Sequence, residues 1–277
     1  MNTLPRRRWC EMTSADFARV DPERWVAVLP VAAVEQHGPH LPLAVDATIN
    51  AGLLDRALDR APAELPVTAL PPTSVGRSEE HVDYPGTLTV TAETLRRQWY
   101  ELGSCVARTG VRKLLIFNSH GGQIQVMEIV ARQLRIDHDM FVAAVSWPQL
   151  GLPDGLIEAS ERRHGIHAGE VETSLMLALR PDLVRMPQAR DFTPWTRRAE
   201  PDFPILTGLG AAGFGWQAQD LHASGAAGNA AAATAARGEA ILDHVAGRLV
   251  ALFEEMVRYP LTNLADGPAP RDVVTGR

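Results

Sequence analysis

Lysine is all but missing from this 277-residue chain, since Lys113 is the only one, and no GxxxxGK surrounds it. Schiff-base, pyridoxal-phosphate and P-loop chemistries each need a placed lysine, so its scarcity sets them aside. Cysteine is nearly as rare. Cys10 and Cys105 stand far apart, which speaks against a disulfide framework and makes a reducing compartment, the cytoplasm, the expectation. A run of about 18 or more apolar residues is missing, which argues against a membrane span. The amino terminus carries arginines with no apolar stretch behind them, unlike a signal peptide. Positive charge is not in excess either: the formal net charge is -6, which disfavours general binding of nucleic acid. What remains, 45% hydrophobic and 22% charged, is an ordinary globular composition.

Four short apolar runs predict strands: WVAVLPV from Trp25 to Val31, VTALPP near Val67, KLLIFN from Lys113 to Asn118, and MFVAAVSW from Met140 to Trp147. They are rich in branched residues and lack strict alternation, as strands buried on both faces do. Helical patterns lie between them: DATINAGLLDRALDRA, TAETLRRQWYELGSCVARTG and GQIQVMEIVARQLRID. A further helix is expected at GEVETSLMLALRPDL, ended by Pro181, and a long closing one over AAAATAARGEAILDHVAGRLVALFEEMVRY. Alternating strand and helix point to an α/β fold, a parallel sheet with helices on both faces. Residues 186–229 are rich in proline, glycine and tryptophan and have no period; they read as an irregular excursion at a subunit contact. No repeat or linker divides residues 1–277, so one domain is expected, with residues 261–277 a frayed tail.

The chemistry concentrates where strands end, which in such sheets is the edge that lines the ligand crevice. In VEQHGPHLPLAVD after the first strand, Glu35 and His37 are two apart and point the same way if extended. Asp46 lies where the next helix begins, a position that capping alone would also explain. NSHGGQ places His120 directly after the third strand, followed by two glycines that permit close approach to a ligand. In HGIHAGEVETS, His167 and Glu170 are three apart and would share a face of an opening helical turn. Glu172 reads as pointing elsewhere, a supporting partner or a helix-start charge. Glu35, His37, Asp46, His120 and Glu170 thus offer nitrogen and oxygen without thiolate. That set suits zinc first, then manganese or iron, and not calcium. Five ligands exceed a mononuclear catalytic zinc and fit two divalent metals bridged by one carboxylate, able to hold a hydroxide and polarise a carbonyl.

The chain resembles the creatininase family of metal-dependent amidohydrolases over most of its length. The likeness lies in LPVAAVEQHGPHLPLAVD, GRSEEHVDYPGTLTV, NSHGGQ, HAGEVETSLMLALRPDLV and SGAAGNAAAATAARGEA. It implies a three-layer α/β/α domain, a dinuclear centre and a homohexamer. It further implies Asp46 as the bridging carboxylate, Glu35 and His120 on one metal, and His37 and Glu170 on the other. His167 matches the family's catalytic histidine, a proton shuttle to the leaving nitrogen. Ser78 and His81 match a loop beside the substrate, while Trp147, with Trp195, is read as setting the width of the crevice. In creatininase itself the segment matching His120 to Gly122 reads His-Tyr-Glu, so Gly121 stands where an aromatic side chain touches substrate. The wider family includes formamide hydrolases and a peptidase. The expectation is therefore hydrolysis of a small cyclic or linear amide other than creatinine, with peptide trimming or a silent binding protein as alternatives.

Overall fold

The structure is a computed structural model and describes residues 4–209, 212–265 and 267. Its centre is a four-stranded sheet of β1 (Val26–Val31), β2 (Val67–Ala69), β3 (Lys113–Asn118) and β4 (Phe141–Ser146), in the order β2-β1-β3-β4. Every pairing in it is parallel. Helices α1 (Val45–Arg60), α2 (Ala92–Arg108) and α3 (Ile124–His138) connect the strands. Then follow the short α4 (Ala159–His164) and α5 (Glu170–Leu179).

The sheet is buried on both faces, as its apolar composition requires. Val26, Val28, Leu115 and Phe117 pack into one cluster with residues of α1 and α5. Their neighbours Ala27, Leu29, Leu114 and Ile116 pack into the other with residues of α2 and α3. The chain thus forms an α/β/α sandwich. From β1 it passes through α1 to β2 on one side, and from β3 through α3 to β4 on the other. The carboxyl ends of β1 and β3 therefore flank the point where the strand order reverses, and such a point opens a ligand crevice.

Residues 186–229 are not featureless. They hold β5 (Asp191–Phe192), α6 (Trp195–Ala199), β6 (Leu206–Thr207), β7 (Ala212–Gly213), α7 (Ala218–Leu221) and β8 (Gly228–Asn229), with β5 antiparallel to β8 and β6 parallel to β7. The closing helix α8 (Ala235–Arg258) begins later than the alanine run suggests. Thr234 is extended and its hydroxyl accepts the Arg237 N–H, an N-cap that outweighs the helix propensity of the alanines before it. Of the expected tail, Leu261–Asn263 forms a 3-10 turn, while residues 266 and 268–277 lie outside the described residues.

Lys113 receives a structural explanation. Its buried ammonium donates to the carbonyls of Met256, Val257 and Tyr259, at 2.9, 2.9 and 2.6 Å. A cation there satisfies orphan carbonyls at the end of α8 and complements the helix dipole.

Candidate metal centre

Three chain segments meet at the reversal point. After β1 the chain carries Glu35, Gln36 and His37, then turns at Gly38 with φ +68. A Cβ there would lie 2.9 Å from that of Ala226, so both conformation and space call for glycine. Asp46 sits in the first turn of α1. One turn on, Asn50 Nδ2 donates to the carbonyls of Val31 and Phe117 and so ties α1 to the ends of β1 and β3. His120 follows β3 directly. Its N–H donates to Asn118 Oδ1 at 3.0 Å, and Asn118 Nδ2 reaches Ser146 Oγ at 2.8 Å, which holds the loop against β4.

Glu35, His37, Asp46 and His120 are buried together. His37 Nε2 lies 3.9 Å from Asp46 Oδ1, while His120 Nδ1 lies 3.6 Å from Asp46 Oδ2 and 3.3 Å from Glu35 Oε2. Both imidazoles are held by their other nitrogen. His37 Nδ1 donates to the Glu35 carbonyl at 3.0 Å and His120 Nε2 to the Arg77 carbonyl at 2.7 Å, which turns His37 Nε2 and His120 Nδ1 toward the carboxylates.

Glu170 does not join them. Its carboxylate pairs with Arg237 at 2.8 Å, and its N–H donates to Glu161 at 2.9 Å. Glu172 comes instead, with Oε2 3.9 Å from His37 Nε2 and accepting the Ala168 N–H at 2.6 Å. The cause is the backbone between His167 and α5. Ala168 is left-handed at φ +53 and Gly169 is extended, so helical spacing does not connect His167 to Glu170. Helical side chains lean toward the N-terminus, and Glu172 reaches back over that turn to the cluster.

Among the described residues, three sets of atoms lie close enough to share an ion: Glu35, Glu80 and His120; His37, Asp46 and Glu172; and Glu35, His37 and His167. Glu35 Oε2, His37 Nε2 and Asp46 Oδ2 are buried without a hydrogen-bond partner among the described residues. An unsatisfied buried group costs about 1–3 kcal/mol, and more when charged, so this convergence fits divalent cations. The donors are nitrogen and oxygen, the set expected for zinc, manganese or iron.

The electrostatics agree with a site short of positive charge. Burial and then the Glu35 carboxylate push Asp46 well above the usual carboxylate range. Burial likewise raises Glu172 and Glu80. Glu35 goes the other way, because His120, His81 and His167 outweigh its desolvation and hold it well below that range. Burial also acts against charge on His120, but Glu35, Asp46 and Glu80 overcome it and carry the group up to about 10.

A cavity of about 100 Å³ opens over these groups, lined by His81, Gly121, His167, Trp216 and the carboxylates. A groove of about 690 Å³ continues from it past Gly122, Leu209 and Phe214. Gly121 faces open space. Ser78 stands behind the cluster, fully buried, with Oγ 3.5 Å from His120 Nε2. Trp147, the first residue of the 3-10 turn after β4, is buried in the hydrophobic core cluster that holds residues of α1 and α8 and does not line the cavity. Trp195 packs on Phe203 and Phe214 at the surface. His164 pairs with Glu200 at 3.0 Å, away from the cluster. Sequence reasoning passed over Glu80, Trp216 and Gln36. The first two carry no local pattern, whereas Gln36 sits between two candidate ligands.

The Pseudomonas putida creatinine amidohydrolase is 29% identical over 208 residues, covering 70% of this chain and 80% of that protein. Mycofactocin precursor peptide peptidases of Mycolicibacterium smegmatis and Mycobacterium ulcerans are 30% and 33% identical, over 57% and 59% of this chain. The alignments span 59% and 62% of those peptidases, about three fifths of their length. Among solved structures, a manganese form of creatininase superposes with a TM-score of 0.71 at 25% identity, covering 90% of this chain and 98% of that one. A Zn-Zn type of a creatininase variant has the same TM-score at 26% identity, over 90% and 97%. The family profile described as creatininase, creatinine amidohydrolase, matches residues 10–253. With that match over most of its length and the sheet and the clustered carboxylates and histidines beneath it, the chain belongs to the creatininase family.

Proposed function

We propose that this protein is a dinuclear metal-dependent amidohydrolase that breaks the C–N bond of a small cyclic or linear amide. The observation that carries the reading is the placement of Asp46, whose two oxygens face different histidines, Oδ1 toward His37 and Oδ2 toward His120. One ion would be held by Glu35, His120 and Asp46, the other by His37, Glu172 and Asp46, with Glu172 in the role first assigned to Glu170. When bound, a pair of such ions activates water and polarises a carbonyl. His167 supplies the proton. Its Nε2 is engaged by the Gln36 carbonyl at 2.7 Å, so Nδ1 is the nitrogen left to serve the cavity and the leaving amine. Open space at Gly121 removes the aromatic wall and argues against creatinine.

A peptide substrate is the second reading. It is favoured by the groove that continues from the cavity, which has room for a chain longer than one amide, and by the similarity to peptide peptidases.

Elemental analysis and steady-state kinetics on the same preparations test both parts. The wild type should hold two metals per chain, and Asp46→Ala should lose both. His167→Ala should keep both while kcat falls about 10²–10⁴-fold, the usual reach of acid–base catalysis. Two metals retained by Asp46→Ala at wild-type affinity would sink the bridging assignment. Creatinine turnover matching that of formamides and lactams would sink the substrate assignment, and turnover of short peptides alone would leave the second reading.

A further inference from the structure

His167 lies between two other imidazoles, with ring centroids 4.2 Å from His37 and 4.3 Å from His81. The hydrogen bonds around this stack decide which nitrogen of each ring carries the proton, and Gln36 takes part in them. His167 Nε2 donates to the Gln36 main-chain carbonyl at 2.7 Å, so it cannot accept from the Gln36 side-chain Nε2 that stands 3.3 Å away. The side-chain amide of Gln36 makes two backbone bonds. Its Oε1 accepts the Gly38 N–H at 2.9 Å, and its Nε2 donates to the Gly225 carbonyl at 3.0 Å. A backbone N–H cannot accept and a carbonyl cannot donate, so these two bonds fix which way round the amide lies. The fit is close, because a Cβ at Gly225 would come within 2.4 Å of Gln36 Oε1.

The second hydrogen on Gln36 Nε2 then faces His81 Nδ1 at 2.7 Å. His81 Nδ1 must be the acceptor, and its proton sits on Nε2, 3.3 Å from Glu35 Oε1. One Glu35 oxygen is thereby engaged. The other, Oε2, has no hydrogen-bond partner among the described residues and stands 3.3 Å from His120 Nδ1.

We infer that Gln36 is a positioning residue for the metal centre, acting through His81. Its side-chain amide holds His81 in the Nε2–H tautomer, His81 ties down one oxygen of Glu35, and only the other oxygen is presented to an ion beside His120. Both nitrogens of His81 are then engaged, so this residue meets a substrate only through its ring. The main-chain carbonyl of the same Gln36 sets the tautomer of His167, and one residue therefore orients a ligand and a proton carrier. The inference rests on the metal-centre reading of the preceding section.

The test is nitrogen-detected spectroscopy of uniformly ¹⁵N-labelled full-length protein, metal-free and zinc-loaded. Two-bond ¹H–¹⁵N correlations report which imidazole nitrogen is protonated. In the wild type, His81 should be protonated on Nε2 in both forms. Gln36→Glu keeps the size and, as a carboxylate, offers only acceptors, so at a pH where it is ionised His81 should take a proton on Nδ1. Gln36→Met keeps the bulk and removes both bonds; its zinc affinity, read by chelator competition, should fall about 10–100-fold. A wild-type His81 protonated on Nδ1 overturns the inference, as does a Gln36→Glu spectrum unchanged at His81. Zinc affinity of Gln36→Met within about twofold of wild type, well short of the usual outer-partner effect, would do the same. If the variants fail to fold, the wild-type spectrum still decides. The metal-free spectrum separates the two readings: a chain holding fewer than two metals undoes the dinuclear centre and leaves the His81 assignment standing or falling on its own.

Discussion

Glu170 and Glu172 are two residues apart and have unrelated jobs. Glu172 looks at His37 across 3.9 Å, and Glu170 neutralises Arg237 at 2.8 Å. Glu172→Gln should therefore weaken metal binding by about 10–100-fold or more, since the loss is at least that of an outer partner. Glu170→Gln should keep full metal content and cost roughly 1 kcal/mol, as a partly exposed ion pair is worth no more. Metal analysis beside denaturant unfolding of both variants checks this, and reversed results would return Glu170 to the site. Glu35, His37, Asp46 and His120 were legible because each stands next to a strand end or helix start that composition reveals. Glu172 was not, because its direction depends on one left-handed residue, Ala168, that no periodicity foretells.

Among the elements, α8 shows how a distant residue can finish a helix. Its last carbonyls are capped by Lys113 at the start of β3, so the strand and the helix end are locked together. Lys113→Met should destabilise the protein by about 2–3 kcal/mol, the range for losing bonds to a buried charged donor. Metal content should not change, because Lys113 lies at the end of β3 opposite His120. Guanidinium unfolding with elemental analysis measures both, and unchanged stability would remove the capping role. The rarity of lysine marked this residue as unusual, but its partners come from the far end of the chain. Strands β1, β3 and β4 were legible almost to the residue, whereas β2 keeps only Val67–Ala69 of its apolar run and the two-residue strands β5 to β8 were not foreseen. The start of α8 was displaced because propensity favours alanine while the Thr234 side chain rewards a later beginning.

For the whole molecule, the proposed metal centre would couple folding to protons. Without metal, His120 is carried up to about 10 by its carboxylate neighbours and is therefore protonated at pH 7. An ion that takes its Nδ1 must displace that proton. Metal affinity should thus fall as pH falls, by about tenfold per pH unit for each proton displaced. Calorimetric titration with zinc in buffers of different ionisation heat counts the protons, and zero release at pH 7 would contradict the arrangement. Binding to the folded state alone also stabilises it, by about 2.7 kcal/mol at a hundred times Kd. A chelator should lower Tm and added zinc should restore it.

The sequence by itself determined the class of fold and picked out four of the side chains that cluster at the sheet edge, Glu35, His37, Asp46 and His120. Buried parallel strands must be apolar throughout, and polar residues that interrupt them at a carboxyl end have little reason to be there except function. Only the tertiary structure decided which acidic residue of α5 turns inward, which tryptophan walls the cavity, and how Gln36 and Glu80 join the site. Those outcomes depend on side-chain directions set by single backbone angles and on contacts between segments more than a hundred residues apart, such as Gln36 with His167 and Gly225. Local patterns carry no information about either.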